Sequence, residues 1–102
     1  MKAVFITPDA QAQLLEIELW WLTNREKNPD LFRDEFERGL ELIVRMGDVG
    51  EPWPRRGMPD LRRRLLGTGH HIYYVNLPDH TRVLAAWGGP RATGSDLGDS
   101  PF

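Results

Sequence analysis

Five arginines, Arg55, Arg56, Arg62, Arg63 and Arg64, fall within ten residues, and the adjacent histidines His70 and His71 follow them closely. A guanidinium fork suits phosphate or carboxylate recognition, and an imidazole that titrates near neutrality can take or give a proton. Arg63 is the strongest of the arginines, because it alternates with Leu61 and Leu65 in the middle of a strand-like run. Runs of charge are ordinarily solvated surface, the plain reading of Arg55, Arg56 and Arg62. His70, His71 and His80 do not read as a metal site. Neighbouring strand residues point to opposite faces, and no cysteine or suitably spaced carboxylate completes a ligand set. For His71 the plain reading is a polar side chain satisfied at the sheet surface, and the sharper one is an acid or base beside arginine. No glycine-rich phosphate loop, nucleophile elbow or paired-carboxylate motif is present, and no cofactor is expected.

The elements that must carry these groups follow from changes in apolar period. "KAVFIT" is β-branched and aromatic and reads as an opening strand; Thr7 can then cap a helix, with Pro8 in its first turn. Ala10, Leu14, Ile17 and Trp21 recur at helical spacing to about Asn24, and Phe32, Phe36, Leu40 and Ile43 repeat the pattern after the break at Pro29. Trp20 lies off the first stripe, where it can cover a loop or meet a partner. Two helices so briefly joined form a helical hairpin. "GDVGEPWPRRGMP" is too rich in glycine and proline for regular structure, and Trp53 between its prolines is placed to pin this connector. The period then becomes two: "LRRRLL", "HIYYVNL" and "RVLAAW", separated by turn residues, predict an antiparallel meander. The order β-α-α-β-β-β predicts an α+β domain, its two-helix hairpin packed on one face of a twisted, mainly antiparallel four-stranded sheet. Ile72 and Tyr74 then meet the helices, and His71, Tyr73 and Val75 point to an open face. The domain is expected over residues 1–91, with a flexible tail over 92–102.

Composition narrows the classes. A chain of 102 residues is one domain's worth, and 40% hydrophobic with 27% charged residues is a globular balance. No apolar run nears the roughly 20 residues of a membrane span, so no membrane partner and a cytoplasmic location are expected. The lack of cysteine fits a reducing compartment. A formal charge of -2 argues against nonspecific coating of nucleic acid, although acids crowd the first half and arginines the region just past the middle.

Taken together, the opening strand, the "TPDAQAQLLEI" helix, the Asn-Pro-Asp break, the second helix, "RGMPDLRRRLL", "GHHIYYV" and a last strand running into "WGGPR" resemble the RelE/ParE superfamily of bacterial toxins. The resemblance covers the chain to about Arg91 and rests on order and spacing. It implies a type II toxin-antitoxin (plasmid-stabilization) toxin, silenced by a cognate antitoxin through which alone it would meet operator DNA. RelE-like members are metal-independent endoribonucleases that cut mRNA on the ribosome, using basic residues and a tyrosine on the open sheet face. ParE-like members poison DNA gyrase and lack that set.

Of the ribonuclease pattern, Arg63 matches a basic strand position and Arg91 the arginine after the last strand. Leu65 stands at the second basic position, His71 at the arginine before "IYY", and Leu97 at the C-terminal tyrosine. An arginine, with a pKa above about 12, holds phosphate but is a poor base. A nuclease site would therefore consist of Arg63, His71 and Arg91, with Tyr73 as helper. The three departures favour the ParE-like branch, in which Arg62, Arg63, Arg64 and Arg91 would serve target binding. A non-toxic module that binds only its antitoxin is the further alternative. In each case a disordered antitoxin segment is expected to fold onto the chain, placing acids opposite Arg62, Arg63 or Arg64.

Overall fold

The structure is a computed structural model that describes residues 2–89. Arg91, Leu97 and the tail expected from residue 92 lie outside the described residues. Strand β1 (Ala3–Ile6) leads into helix α1 (Pro8–Asn24), then helix α2 (Leu31–Arg45) and strands β2 (Glu51–Pro52), β3 (Arg62–Leu65), β4 (His70–Asn76) and β5 (His80–Gly88). Thr7 caps α1 as its sequence predicts, its side-chain oxygen accepting from the Ala10 amide, with Pro8 in the first turn. No helix among the described residues is long and apolar enough to cross a membrane.

The sheet has five strands in the order β1-β5-β4-β3-β2. Strand β1 runs parallel to β5, and the remaining pairs are antiparallel. The expected sheet has four strands; the fifth is β2, a two-residue edge strand from the glycine- and proline-rich connector. Glu51 pairs with Arg63 and Pro52 with Arg62. Proline is tolerated at such an edge because no further strand needs its missing N–H.

Both helices cover one face. Ala10, Ile17, Trp21, Phe32 and Ile43 bury against Ile72, Tyr74, Val83 and Ala86, with Leu14, Trp20, Phe36 and Leu40 packed around them. Trp20 thus joins the edge of the core, its ring edge-on to Trp21 and beneath the guanidinium of Arg25, 4.8 Å from the ring centre. The face expected to stay open is instead partly covered. Leu61, Tyr73 and Ala85 are buried there, with Trp53, Met58, Val75, Leu84 and Trp87 packed on them. The connector folds back over this face because its apolar residues need cover, and Trp53 holds it there, its amide donating to the Leu61 carbonyl. A bulge between β4 and β5 pairs Tyr73 with Ala85 but Tyr74 with Val83, leaving Leu84 as the extra residue.

Candidate functional site

Register decides what the arginine run can do. Arg62 and Arg64 lie opposite Tyr74 and Ile72 in the β3–β4 ladder, on the helix-covered face, and Arg63 lies opposite Tyr73 on the other. The three do not form one basic ridge. The Arg62 guanidinium donates to the carbonyls of Gly50 at 2.7 Å and Asp48 at 3.3 Å, tying down the approach to β2. Arg64 borders a hollow beside Glu35 and Arg38 of α2.

Arg63 and His71 do come together. Both line a depression of about 400 Å³ at the β2–β3–β4 edge, with Val49, Glu51, Arg64 and Leu65. Arg63 is closely held there. Its Nε donates to Glu51 Oε1, its guanidinium carbon lies 3.5 Å from the centre of the Trp53 ring, and its side chain is 18% exposed. Arg55 approaches the same ring at 4.4 Å. Burial pulls the Arg63 pKa down, but hydrogen bonds to Glu51 and Tyr73 outweigh it, so the pKa stays raised. His71 pairs with Leu65, which is 58% exposed. Burial and then the charge of Arg63 hold the His71 pKa below its ordinary value, with Glu51 opposing. The imidazole is accordingly neutral at pH 7. Tyr73, whose ring centre lies 6.1 Å from that of His71, is fully buried under the connector.

The two adjacent histidines face opposite sides. His70 is buried on the helix side, its ring edge-on to Phe32 with 4.9 Å between centres and its Nδ1 2.8 Å from the Thr68 hydroxyl. His80 sits beside Asp79 at 2.8 Å, far along the meander. Among the described residues no group of three or more His, Asp or Glu side chains could hold a metal ion.

Sequence reasoning missed Glu51, the partner that ties up Arg63. Its signal was present: Glu51 and Trp53 are two residues apart, the spacing that puts both on one face of an extended segment beside Arg63. The chemistry available in the depression is modest. A neutral imidazole stands beside a cation already bonded to a carboxylate, and a phosphate could engage Arg63 only by displacing Glu51.

No protein-family model matches the sequence, and no curated protein matches it. The fold does match a solved structure. A chain of the "Chromosomal ParDE TA system from P. aeruginosa" superposes over 88% of this chain and 98% of that one, with a TM-score of 0.70 and 15% sequence identity. The chain therefore has a fold of the RelE/ParE type.

Proposed function

We propose that the chain is the toxin of a type II toxin-antitoxin pair, a ParE-like growth inhibitor that acts on DNA gyrase without cutting nucleic acid and is neutralised by a cognate antitoxin. The fold it shares with a chain of the ParDE system supports the toxin assignment. The observation that carries the choice of branch is the engagement of Arg63 by Glu51, Tyr73 and Trp53. Cleavage without metal requires free positive charge on the pentavalent phosphate and a group that moves the 2'-hydroxyl proton. Here the strand arginine is neutralised by a carboxylate, and the neighbouring positions are Leu65 and a single histidine.

A ribonuclease using Arg63, His71 and Arg91 is the second reading, favoured by one feature: His71 is neutral at pH 7 and so competent as a base. Paired assays separate the two. In a translating extract the wild-type chain should leave mRNA intact, and with purified gyrase and ATP it should accumulate cleaved DNA complexes. His71→Ala should change that gyrase activity less than twofold. Ribosome-dependent mRNA cleavage by the wild type that drops by the roughly 10²- to 10⁴-fold typical of a lost acid or base in His71→Ala would overturn the proposal. If neither target responds while the antitoxin still binds, the chain is a binding module.

A further inference from the structure

The bond from Arg63 to Glu51 adds little to stability by itself, because Glu51 is 56% exposed on a two-residue edge strand and exposed ion pairs contribute little in water. Arg63 does not need it to stay in place. Its guanidinium lies against the Trp53 ring and is hydrogen-bonded to Tyr73, which is fully buried. What Glu51 does change is the charge of the hollow that the two residues share. Of its other lining side chains, Arg63 and Arg64 are cations, Val49 and Leu65 are apolar, and His71 is held neutral. Among the described residues Arg64 forms no ion pair. Glu51 is thus the one anion in the lining of a cationic hollow whose volume of about 400 Å³ is ample for a phosphate group. A carboxylate and a phosphate compete for one guanidinium, because both present paired oxygens to the same N–H edge.

We infer that Glu51 is a specificity-determining residue: its carboxylate fills an anion site built around Arg63 and shuts phosphate groups out of it. Two effects act together. The carboxylate takes the Arg63 Nε donor, and with it the edge of the guanidinium on which a phosphate would seat two oxygens. Its charge also repels any second anion in a hollow that bulk water screens only in part. Without that charge, Arg63 and Arg64 stand beside the apolar Val49 and Leu65, and the His71 imidazole offers a further N–H donor. Arg63 is already ordered by Trp53 and Tyr73, so little side-chain freedom is lost when an anion binds. The inference goes beyond the toxin reading and is drawn from the surroundings of Arg63 alone, so a chain inactive on gyrase leaves it standing.

Calorimetric titration of the full chain with inorganic pyrophosphate tests it. Glu51→Gln keeps an oxygen for the Arg63 Nε and removes only the charge, so it should bind pyrophosphate at least about tenfold more tightly than the wild type, the effect of removing one nearby like charge. Glu51→Ala, which also frees the Nε donor, should show the same gain or more, and both variants should keep the wild-type circular dichroism spectrum. In both, pyrophosphate should shift the ring-proton signals of His71 and leave those of His80 in place. Glu26→Gln, the same loss of charge at an exposed position between the helices, should bind as weakly as the wild type. Adding Arg63→Lys to Glu51→Gln should remove most of the gain, because an ammonium has no fork. A short oligouridylate separates two sources of the excluded phosphate: a gain on it as well names a nucleic acid strand, and a gain on pyrophosphate alone names a small phosphorylated molecule. A wild-type chain that binds pyrophosphate as tightly as Glu51→Gln overturns the proposal. So does an equal gain in Glu26→Gln, or a gain that Arg63→Lys leaves intact.

Discussion

At the scale of single residues, His71 and Arg63 illustrate what a period-two pattern does and does not disclose. Alternation along "RRRL" and "HHIYYVN" suffices to put Arg63 and His71 on one face and Arg62, Arg64 and His70 on the other, and the register agrees. What alternation cannot disclose is the partner across the strand, because Glu51 comes from a connector whose prolines disguise it as a loop. That partner decides the chemistry, since it neutralises Arg63, and Arg63 in turn helps depress the His71 pKa. The depression has a signed consequence. The unfolded imidazole titrates near 6.5 and the folded one lower, so at acidic pH the unfolded chain binds more protons. The stabilising preference for neutral His71 is present above about pH 6.5 and is lost as the pH falls below it. The melting temperature of the wild type should therefore fall further than that of His71→Gln between about pH 7 and about pH 5, a window set by ordinary histidine titration. Parallel melting curves for the two proteins would show that His71 is not held neutral.

At the scale of elements, the helical hairpin and the strands of the β3–β4–β5 meander were legible because of clean apolar faces: Phe32, Phe36, Leu40 and Ile43 on α2, Ile72 and Tyr74 on β4. Strand β2 and the cover over Leu61 and Tyr73 were not. Both depend on tertiary bonds that fold the 46–61 segment back on the sheet. Tyr74 is central to that folding. Its hydroxyl accepts from the Gly50 amide at 2.9 Å and donates to the Gly47 carbonyl at 2.9 Å, clamping the turn that delivers Glu51 to Arg63. A Cβ on Gly50 would lie 2.5 Å from that hydroxyl and 2.9 Å from the Arg63 carbonyl, so the position admits no side chain. Burial raises the Tyr74 pKa and keeps the phenol protonated as a donor. Tyr74→Phe removes both bonds from a site closed to water and should cost about 1–3 kcal/mol in urea unfolding. It should also raise amide exchange across 47–52 before the rest of the sheet. A loss spread evenly over the molecule would show that Tyr74 serves only as core.

At the scale of the whole molecule, the sheet buries an apolar cluster on each face but leaves its edge strand β1 partly uncovered. Val4 and Phe5 of β1 are 38% and 49% exposed, and Val4 borders an apolar groove of about 630 Å³ with Leu40 and Val44 of α2. Exposed apolar surface on an edge strand is a liability that natural chains usually cover. Under the toxin reading, the cognate antitoxin is the partner that would bury such surface. A ligand that binds only the folded state stabilises it by about 2.7 kcal/mol at a hundredfold excess over its Kd. In a domain of 60–100 residues each kcal/mol shifts the melting temperature by about 4–8 °C, so saturation should raise it by about 10–20 °C. The rise should grow with the logarithm of partner concentration, and the partner's own helical signal should increase as its disordered segment folds on binding. Scanning calorimetry of the chain titrated with the product of each adjacent reading frame makes this measurable. A melting temperature that none of those products moves would remove the antitoxin, and the toxin assignment with it.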